Sequence, residues 1–121
     1  MSNEDRQKKS QAVKEMIKAV NSQPSTKCHV ALVKYYIDTE SYPASALTLS
    51  QDYTPNLHET PEGFACDTFF KPNVLGPQEK EGKEIINGVV RVSLYVNLDD
   101  ILGIFTAEGN KAIPLYTPSD E

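Results

Sequence analysis

The apolar positions near the start of the chain repeat with the period of an α-helix. Four of them share one helical face at the spacing i, i+3, i+4 and i+7, and these are Val13, Met16, Ile17 and Val20. Ser10 is the predicted N-cap of this helix. The stretch "NSQPS" ends the helix, because a proline pushes the residue before it out of the α region. Residues 1–9 are polar and are predicted to be frayed.

After the helix the pattern changes to that of extended strands. Residues 28–37, "CHVALVKYYI", are apolar on both faces and predict one central strand. "ALTL" and "GFACDTFF" predict two further strands. In "EIINGVVRVSLYV" the pair Asn87-Gly88 predicts a type I′ hairpin. "ILGIFTAEGNKAIPLY" predicts a second hairpin that turns at residues 108–110, with Pro114 placing the last strand at a sheet edge.

The order of these elements predicts the fold class. One helix followed by about five or six antiparallel strands favours α+β, in the form of an N-terminal helix on a small, strongly bent antiparallel β-barrel. A chain of 121 residues is predicted to form a single domain, here residues 10–116, with residues 117–121 as a short tail. The stretches "DTESYPAS", "SQDYTPNLHETPEG" and residues 71–84 are predicted loops.

Composition and charge narrow the classes of partner. The chain is 39% hydrophobic and 24% charged, as in an ordinary globular protein. Its net charge is −5 and its lysines and arginines are scattered, which makes nucleic acid a disfavoured partner. No apolar run approaches the ~20 residues of a membrane helix, and no signal peptide is recognised, so we expect a cytoplasmic protein without a membrane partner.

Asp99-Asp100 is the first candidate for chemistry. Adjacent side chains on a strand point to opposite faces, so this pair does not converge easily on one metal ion or one substrate atom. No further carboxylate follows at the spacing of a calcium or iron site. We therefore predict a turn or the start of a short helix at this pair, with neither a metal nor another cofactor.

The cysteines and histidines form the second candidate. Cys66, His58 and Asp67 would be the members of a cysteine triad, but Cys66 and Asp67 are adjacent on one predicted strand and face opposite sides. Cys28 has the same relation to its neighbour His29, and the spacing matches no recurrent zinc pattern. We predict buried thiols and a protein that is not an enzyme. A cysteine enzyme that uses Cys66 stays an alternative, as does a barrel that binds nucleotides or single strands through its tyrosines.

The order of motifs resembles the stringent starvation protein B family, the adaptors that deliver ssrA-tagged polypeptides to the ClpX unfoldase. The motifs are a helix, an "HV" strand, "LTL", an "NL" followed by two spaced phenylalanines, and "VNLDDILGIFTAEGNKA". The matching positions are His29, Asn56, Leu57, Phe64, Phe70, Val96, Leu98, Ile101, Leu102, Ile104, Phe105, Glu108 and Gly109.

The resemblance implies an Sm-like barrel, a homodimer and a peptide-binding groove. Dimerisation would use the helix face of Val13, Met16, Ile17 and Val20. The alternative is that these four residues pack wholly on their own sheet, because such stripes are more often core than interface. The groove would run beside the strand at residues 64–70 and take an extended peptide, such as an ssrA tag. Its candidate residues are Ala65, Asp67 and Phe69, with Leu47 and Leu49 of the neighbouring strand as apolar wall.

Three departures from the family pattern open an alternative. Asp67 stands where the family places basic residues, residues 71–91 are an insertion, and the family's ClpX-docking tail does not follow "YTPSDE". The expectation is therefore either a peptide-binding adaptor or an accessory protein, for example of the kind that phages encode, that sequesters or inhibits one protein partner.

Overall fold

The computed structural model describes residues 3–23, 25–37, 40–70, 85–86 and 89–118. In chain order the elements within these ranges are α1 (Asn3–Ser22), β1 (Lys27–Leu32), β2 (Lys34–Ile37), β3 (Glu40–Pro43), β4 (Leu47–Leu49), β5 (His58–Glu59), β6 (Gly63–Phe70), β7 (Ile85–Ile86), β8 (Val89–Asn97), a short 3-10 turn (Leu98–Asp100), β9 (Ile101–Glu108) and β10 (Lys111–Tyr116).

The strands form two antiparallel sheets. The small sheet has the order β10-β9-β1-β4, and the large sheet has the order β3-β2-β8-β6-β5, with β7 pairing to β8 as well. One N-terminal helix with two antiparallel sheets confirms the α+β class. Among the described residues the two sheets do not join into a closed barrel.

The chain passes between the sheets at Val33, in the middle of the predicted central strand. The Val33 N–H donates to the Asp100 carbonyl at 3.0 Å, and its own carbonyl accepts from the Ala44 N–H at 3.4 Å. The register between β1 and β9 also shifts between Ala31 and Leu32. Because these bonds turn the chain, residues 28–37 form two strands in different sheets, and the prediction of one strand is wrong.

Both predicted hairpins are present. Ile86 pairs with Val89, which confirms a hairpin around the Asn-Gly pair, although that pair itself lies outside the described residues. Lys111 pairs with Glu108, and the left-handed φ of +63° at the intervening Gly109 suits a residue without a side chain. The strand β10 lies at the edge of the small sheet, as its proline predicts.

Two stretches differ from the loops predicted by their turn residues. "DTESYPAS" contains β3, and "SQDYTPNLHETPEG" contains the two-residue β5. Each is a short strand that pairs with one strand of the large sheet. The predicted loop at residues 71–84, which makes up most of the predicted insertion, lies outside the described residues.

The helix α1 begins at Asn3, so the predicted N-cap at Ser10 is wrong and residues 3–9 are helical. Tertiary contacts support these early turns. Lys9 is buried, its Nζ donates to the Leu98 carbonyl at 3.0 Å, and the same nitrogen lies 5.6 Å from the centre of the Tyr116 ring. Such contacts compensate for the absence of apolar residues in the first turns.

The apolar stripe of α1 packs into the core of its own chain. Val13, Met16 and Val20 are no more than 1% exposed, and Ile17 is partly buried against the same cluster. The sheets complete this core with residues such as Cys28, Val30, Leu49, Phe64, Leu94, Val96 and Ile104. The stripe predicted to form a dimer therefore offers little surface to a second copy.

Candidate functional site

The two adjacent aspartates lie in the 3-10 turn at Leu98–Asp100, which confirms the predicted short helical turn. Their carboxylates have different partners. Asp99 forms an ion pair with Arg6 at 2.8 Å, whereas Asp100 lies 3.5 Å from the Tyr36 hydroxyl. Across the described ranges, no group of three or more His, Cys, Asp or Glu side chains is placed to hold a metal ion.

The two thiols lie in the core and not at a reactive surface. Cys28 and Cys66 are unpaired and buried. Burial raises the pKa of the Cys28 thiol to about 11, and burial together with the charge of Asp67 raises that of Cys66 to about 12. A nucleophilic cysteine needs the opposite shift, because only the thiolate attacks. These thiols therefore give the cysteine-enzyme alternative no support.

The five predicted groove residues divide between the two sheets. Leu47 and Leu49 belong to β4, which pairs with β1 and not with β6, so their predicted place beside β6 is wrong. Leu49 is fully buried. Ala65, Asp67 and Phe69 do share one face of β6, opposite the core residues of that strand. Whether these residues bind a peptide stays a prediction.

Ala65, Asp67 and Phe69 meet three residues of β8 on the outer side of the large sheet. We call these six residues the β6–β8 face. Its directly opposed pairs are Ala65 with Tyr95, Asp67 with Ser93, and Phe69 with Arg91. Directly opposed residues in an antiparallel pair lie on the same side of the sheet and touch.

The β6–β8 face combines small residues with exposed aromatic rings. Phe69 and Tyr95 are each 45% exposed, whereas Ala65 is only 3% exposed and Ser93 is partly buried. The two exposed rings stand at opposite ends of this face, with Asp67 and Ser93 between them. A large exposed apolar surface with a few polar groups is typical of a binding site.

A polar network centred on Asp67 crosses the middle of the β6–β8 face. Its Oδ2 atom accepts hydrogen bonds from Asn56 Nδ2 at 2.6 Å and from Arg91 Nη2 at 2.6 Å and Nε at 3.2 Å. Within the described residues, its Oδ1 atom has only a long contact of 3.5 Å with the Ser93 hydroxyl. The bond from Asn56 lowers the pKa of the Asp67 carboxyl, Arg91 acts in the same direction, and partial burial opposes both.

The loop before β5 is hydrogen-bonded to the same carboxylate through Asn56. Asn56 has a left-handed φ of 60°, which asparagine tolerates better than most residues. The Asp67 N–H donates to the Pro55 carbonyl at 2.8 Å, and Nδ1 of His58 lies 2.7 Å from the Asn56 carbonyl. Because a carbonyl only accepts, that ring nitrogen carries the proton. Asp67 thus binds the neighbouring loop through Asn56 and also forms the ion pair with Arg91.

Sequence reasoning missed four members of this site: Asn56, Arg91, Ser93 and Tyr95. A signal for three of them is the alternation in "RVSLY", where Arg91, Ser93 and Tyr95 occupy every second position of a strand whose other positions are apolar. Asn56 gives no comparable signal, because its contact depends on how a loop crosses the edge of the sheet.

The small sheet has an outer face of a different character. It consists of Lys27, His29, Ala31, Thr48, Gly103, Phe105, Ala107, Ala112 and Pro114, with Val33 and Leu102 beside it. Val33 is 50% exposed and Leu102 is 52% exposed. Lys27 is the one residue of this set with a permanent charge. Apolar surfaces of this kind often mark contacts with other proteins.

No family model, curated protein or solved structure matches this chain. Among the described residues there is no helix that is both long enough and apolar enough to cross a membrane. Function must therefore be inferred from the two surfaces themselves, and the β6–β8 face has the more specific chemistry.

Proposed function

We propose that this protein is a non-enzymatic peptide-binding module whose β6–β8 face receives an extended segment of a partner protein. The observation that carries the proposal is the presence of two half-exposed rings, Phe69 and Tyr95, at opposite ends of one sheet face. Covering the exposed half of one ring removes on the order of 100 Å² of apolar surface from water, which contributes about 2 kcal/mol.

The polar groups of the β6–β8 face supply partners for a peptide backbone. An extended segment that lies on a sheet face must find donors and acceptors for its own N–H and C=O groups. Asp67 Oδ1 and the Ser93 hydroxyl have only their mutual 3.5 Å contact within the described residues, and the exposed Arg91 retains N–H groups beyond those given to Asp67. The face can thus offer both apolar and polar contacts.

The resemblance to the stringent starvation protein B family supports the same proposal. The helix followed by antiparallel strands has the order which that resemblance implies. Closure into an Sm-like barrel, homodimer formation, recognition of ssrA tags and delivery to ClpX belong to the proposal as its finer form. A dimer would need a surface other than Val13, Met16 and Val20, since these are buried.

Peptide titration of isotope-labelled protein, followed by NMR, tests the proposal. One probe is an ssrA-type peptide, and the others are unrelated extended peptides of equal length. We expect saturable shifts at Phe69, Arg91, Ser93 and Tyr95. Tyr95→Ala should weaken binding by about tenfold, as expected for loss of one aromatic anchor.

Leu102→Ala is the matched control, because Leu102 is 52% exposed but belongs to the small sheet. It should leave peptide affinity unchanged. Absence of saturable binding by any peptide, or an equal loss in both variants, would overturn the proposed site.

A second candidate function uses the outer face of the small sheet. Its apolar character favours a sequestering or inhibitory protein that covers one folded partner. In pull-downs, Leu102→Asp should then remove a stoichiometric partner that Tyr95→Ala retains. The opposite pattern would assign that partner to the β6–β8 face.

A further inference from the structure

Hydrogen-bond acceptors are scarce on the outer side of the large sheet, and this points to the chemistry of the peptide, an inference that rests on the proposed peptide-binding function. The one carboxylate of the β6–β8 face, that of Asp67, is already neutralised by Arg91 at 2.6 Å. Three donor atoms converge on its Oδ2 atom, and the side chain is only 22% exposed. Few acceptors therefore remain for the N–H groups of a bound segment.

Donors on the same side of the sheet are more exposed. The Arg91 side chain is 46% exposed and carries N–H groups beyond those that bond to Asp67. Tyr95 is 45% exposed and ends in a hydroxyl group. On the neighbouring strand β2, Lys34 is exposed, and its ammonium group lies 5.8 Å from the centre of the Tyr36 ring. Because ammonium and guanidinium groups only donate, this side suits a segment that presents carbonyl oxygens.

Aromatic rings are available at both ends of this side. Tyr36 is the direct partner of Tyr95, so their Cβ atoms lie about 5 Å apart on one side of the sheet. Phe69 stands opposite Arg91, which is four positions from Tyr95 along β8, a distance of ~13 Å at strand spacing. A polyproline II segment rises about 3.1 Å per residue, so about five residues reach from one end to the other.

We propose that this side of the large sheet, centred on the β6–β8 face, selects a proline-rich segment in the polyproline II conformation. Each proline lacks the N–H group for which the face has few acceptors, and each keeps a carbonyl that can accept from Arg91, Tyr95 or Lys34. The proline rings pack on the exposed aromatic rings, which is how aromatic-lined surfaces bind such segments. The segment is stiff before it binds, so it loses less conformational entropy than a flexible peptide does.

Two fluorescent peptides of equal length and charge test this selection by anisotropy. One contains a run of prolines, and the other has alanine at each of those positions. We expect the proline peptide to bind about tenfold more tightly than the alanine peptide. Tyr95→Leu keeps an apolar side chain but removes the flat ring and the hydroxyl group, so it should remove most of this difference.

Phe105→Leu is the matched control, because it exchanges an aromatic ring for leucine on the outer face of the small sheet, where Phe105 pairs with His29. It should keep the difference between the two peptides, and an equal loss in both variants would overturn the assignment to the large sheet. If Tyr95→Leu loses its fold by circular dichroism, Tyr95→Phe decides. It removes only the hydroxyl donor and should weaken binding of the proline peptide by a factor of about three.

The outcomes separate this inference from the proposed function. Equal binding of the two peptides, or tighter binding of the alanine peptide, would overturn the inference and leave a peptide-binding site. Failure of both to bind, together with the NMR probe peptides, would overturn both. A single-stranded oligonucleotide is a third probe, because exposed rings beside cations also suit stacked bases. If only the oligonucleotide bound, and added salt removed it, the face would belong to nucleic acid and both would again be overturned.

Discussion

Replacing Met16 by alanine tests whether the apolar stripe of α1 belongs to the core of one chain. Met16 is fully buried in a cluster that contains residues of both sheets. The change removes Cγ, Sδ and Cε and leaves a cavity, which costs about 2–5 kcal/mol in comparable cores. A domain of this size has on the order of 5–15 kcal/mol in total. The variant should therefore fold but be much less stable.

Urea unfolding followed by circular dichroism measures the effect. With a urea dependence of about 2 kcal/mol per molar, in the middle of the usual range, the midpoint should fall by roughly 1–2.5 M. Lys18→Ala on the same helix is the control, since Lys18 is exposed and should change the free energy of unfolding by less than about 0.5 kcal/mol.

The dependence of the urea midpoint on protein concentration distinguishes a core residue from an interface residue. If the stripe lies in the core of a monomer, the urea midpoint of the wild type does not depend on protein concentration. If the stripe forms a dimer interface, that midpoint rises with protein concentration. The core assignment would be refuted if Met16→Ala lowered the free energy of unfolding by less than about 1 kcal/mol and the urea midpoint of the wild type rose with protein concentration. The apolar stripe would then be a dimer interface.

Three further predictions concern the backbone and the thiols. A Cβ on Gly63 would lie 2.0 Å from the Val96 carbonyl oxygen, so Gly63→Ala should lower the free energy of unfolding in urea by more than about 3 kcal/mol. A Cβ on Gly103 would meet the movable ring edge of Phe105 at 3.0 Å and the Tyr116 carbonyl oxygen at an ordinary 3.5 Å, so Gly103→Ala should stay within about 1 kcal/mol of wild type. Iodoacetamide should label Cys66 slowly in native protein and quickly in urea; fast native labelling would revive the cysteine-enzyme alternative. The pKa of this thiol in the folded protein, about 12, lies above its ordinary value of 9.0, so the unfolded chain loses the proton first. The free energy of unfolding should therefore fall as pH rises from about 9 toward 12. An equally steep fall in a Cys66→Ala variant would contradict this prediction.

Local patterns in the sequence were enough to predict most of the elements. Alternation predicted β6, and the Asn-Gly and Glu-Gly-Asn stretches predicted both hairpins, because turn geometry depends on the few residues that make it. The helical spacing predicted the buried face of α1. On β6, the same alternation placed Ala65, Asp67 and Phe69 together on the outer side, which is half of the candidate site.

Tertiary structure decided the remainder, through contacts between residues far apart in the chain. The helix starts at Asn3 because contacts such as that between Lys9 and the Leu98 carbonyl, 89 positions away, hold its first turns. The strand break at Val33 depends on hydrogen bonds to Asp100 and Ala44. It separates β1, which pairs with β4 in the small sheet, from β2, which lies in the large sheet with β6.

The other half of the candidate site has the same origin. Arg91 reaches Asp67 across 24 positions because β8 pairs with β6 in one register, and a slip of one residue would turn Arg91 toward the core. Periodicity in a single segment specifies which face of a strand is polar. Only the pairing of strands, which depends on how all the apolar faces are buried together, specifies which polar residues meet.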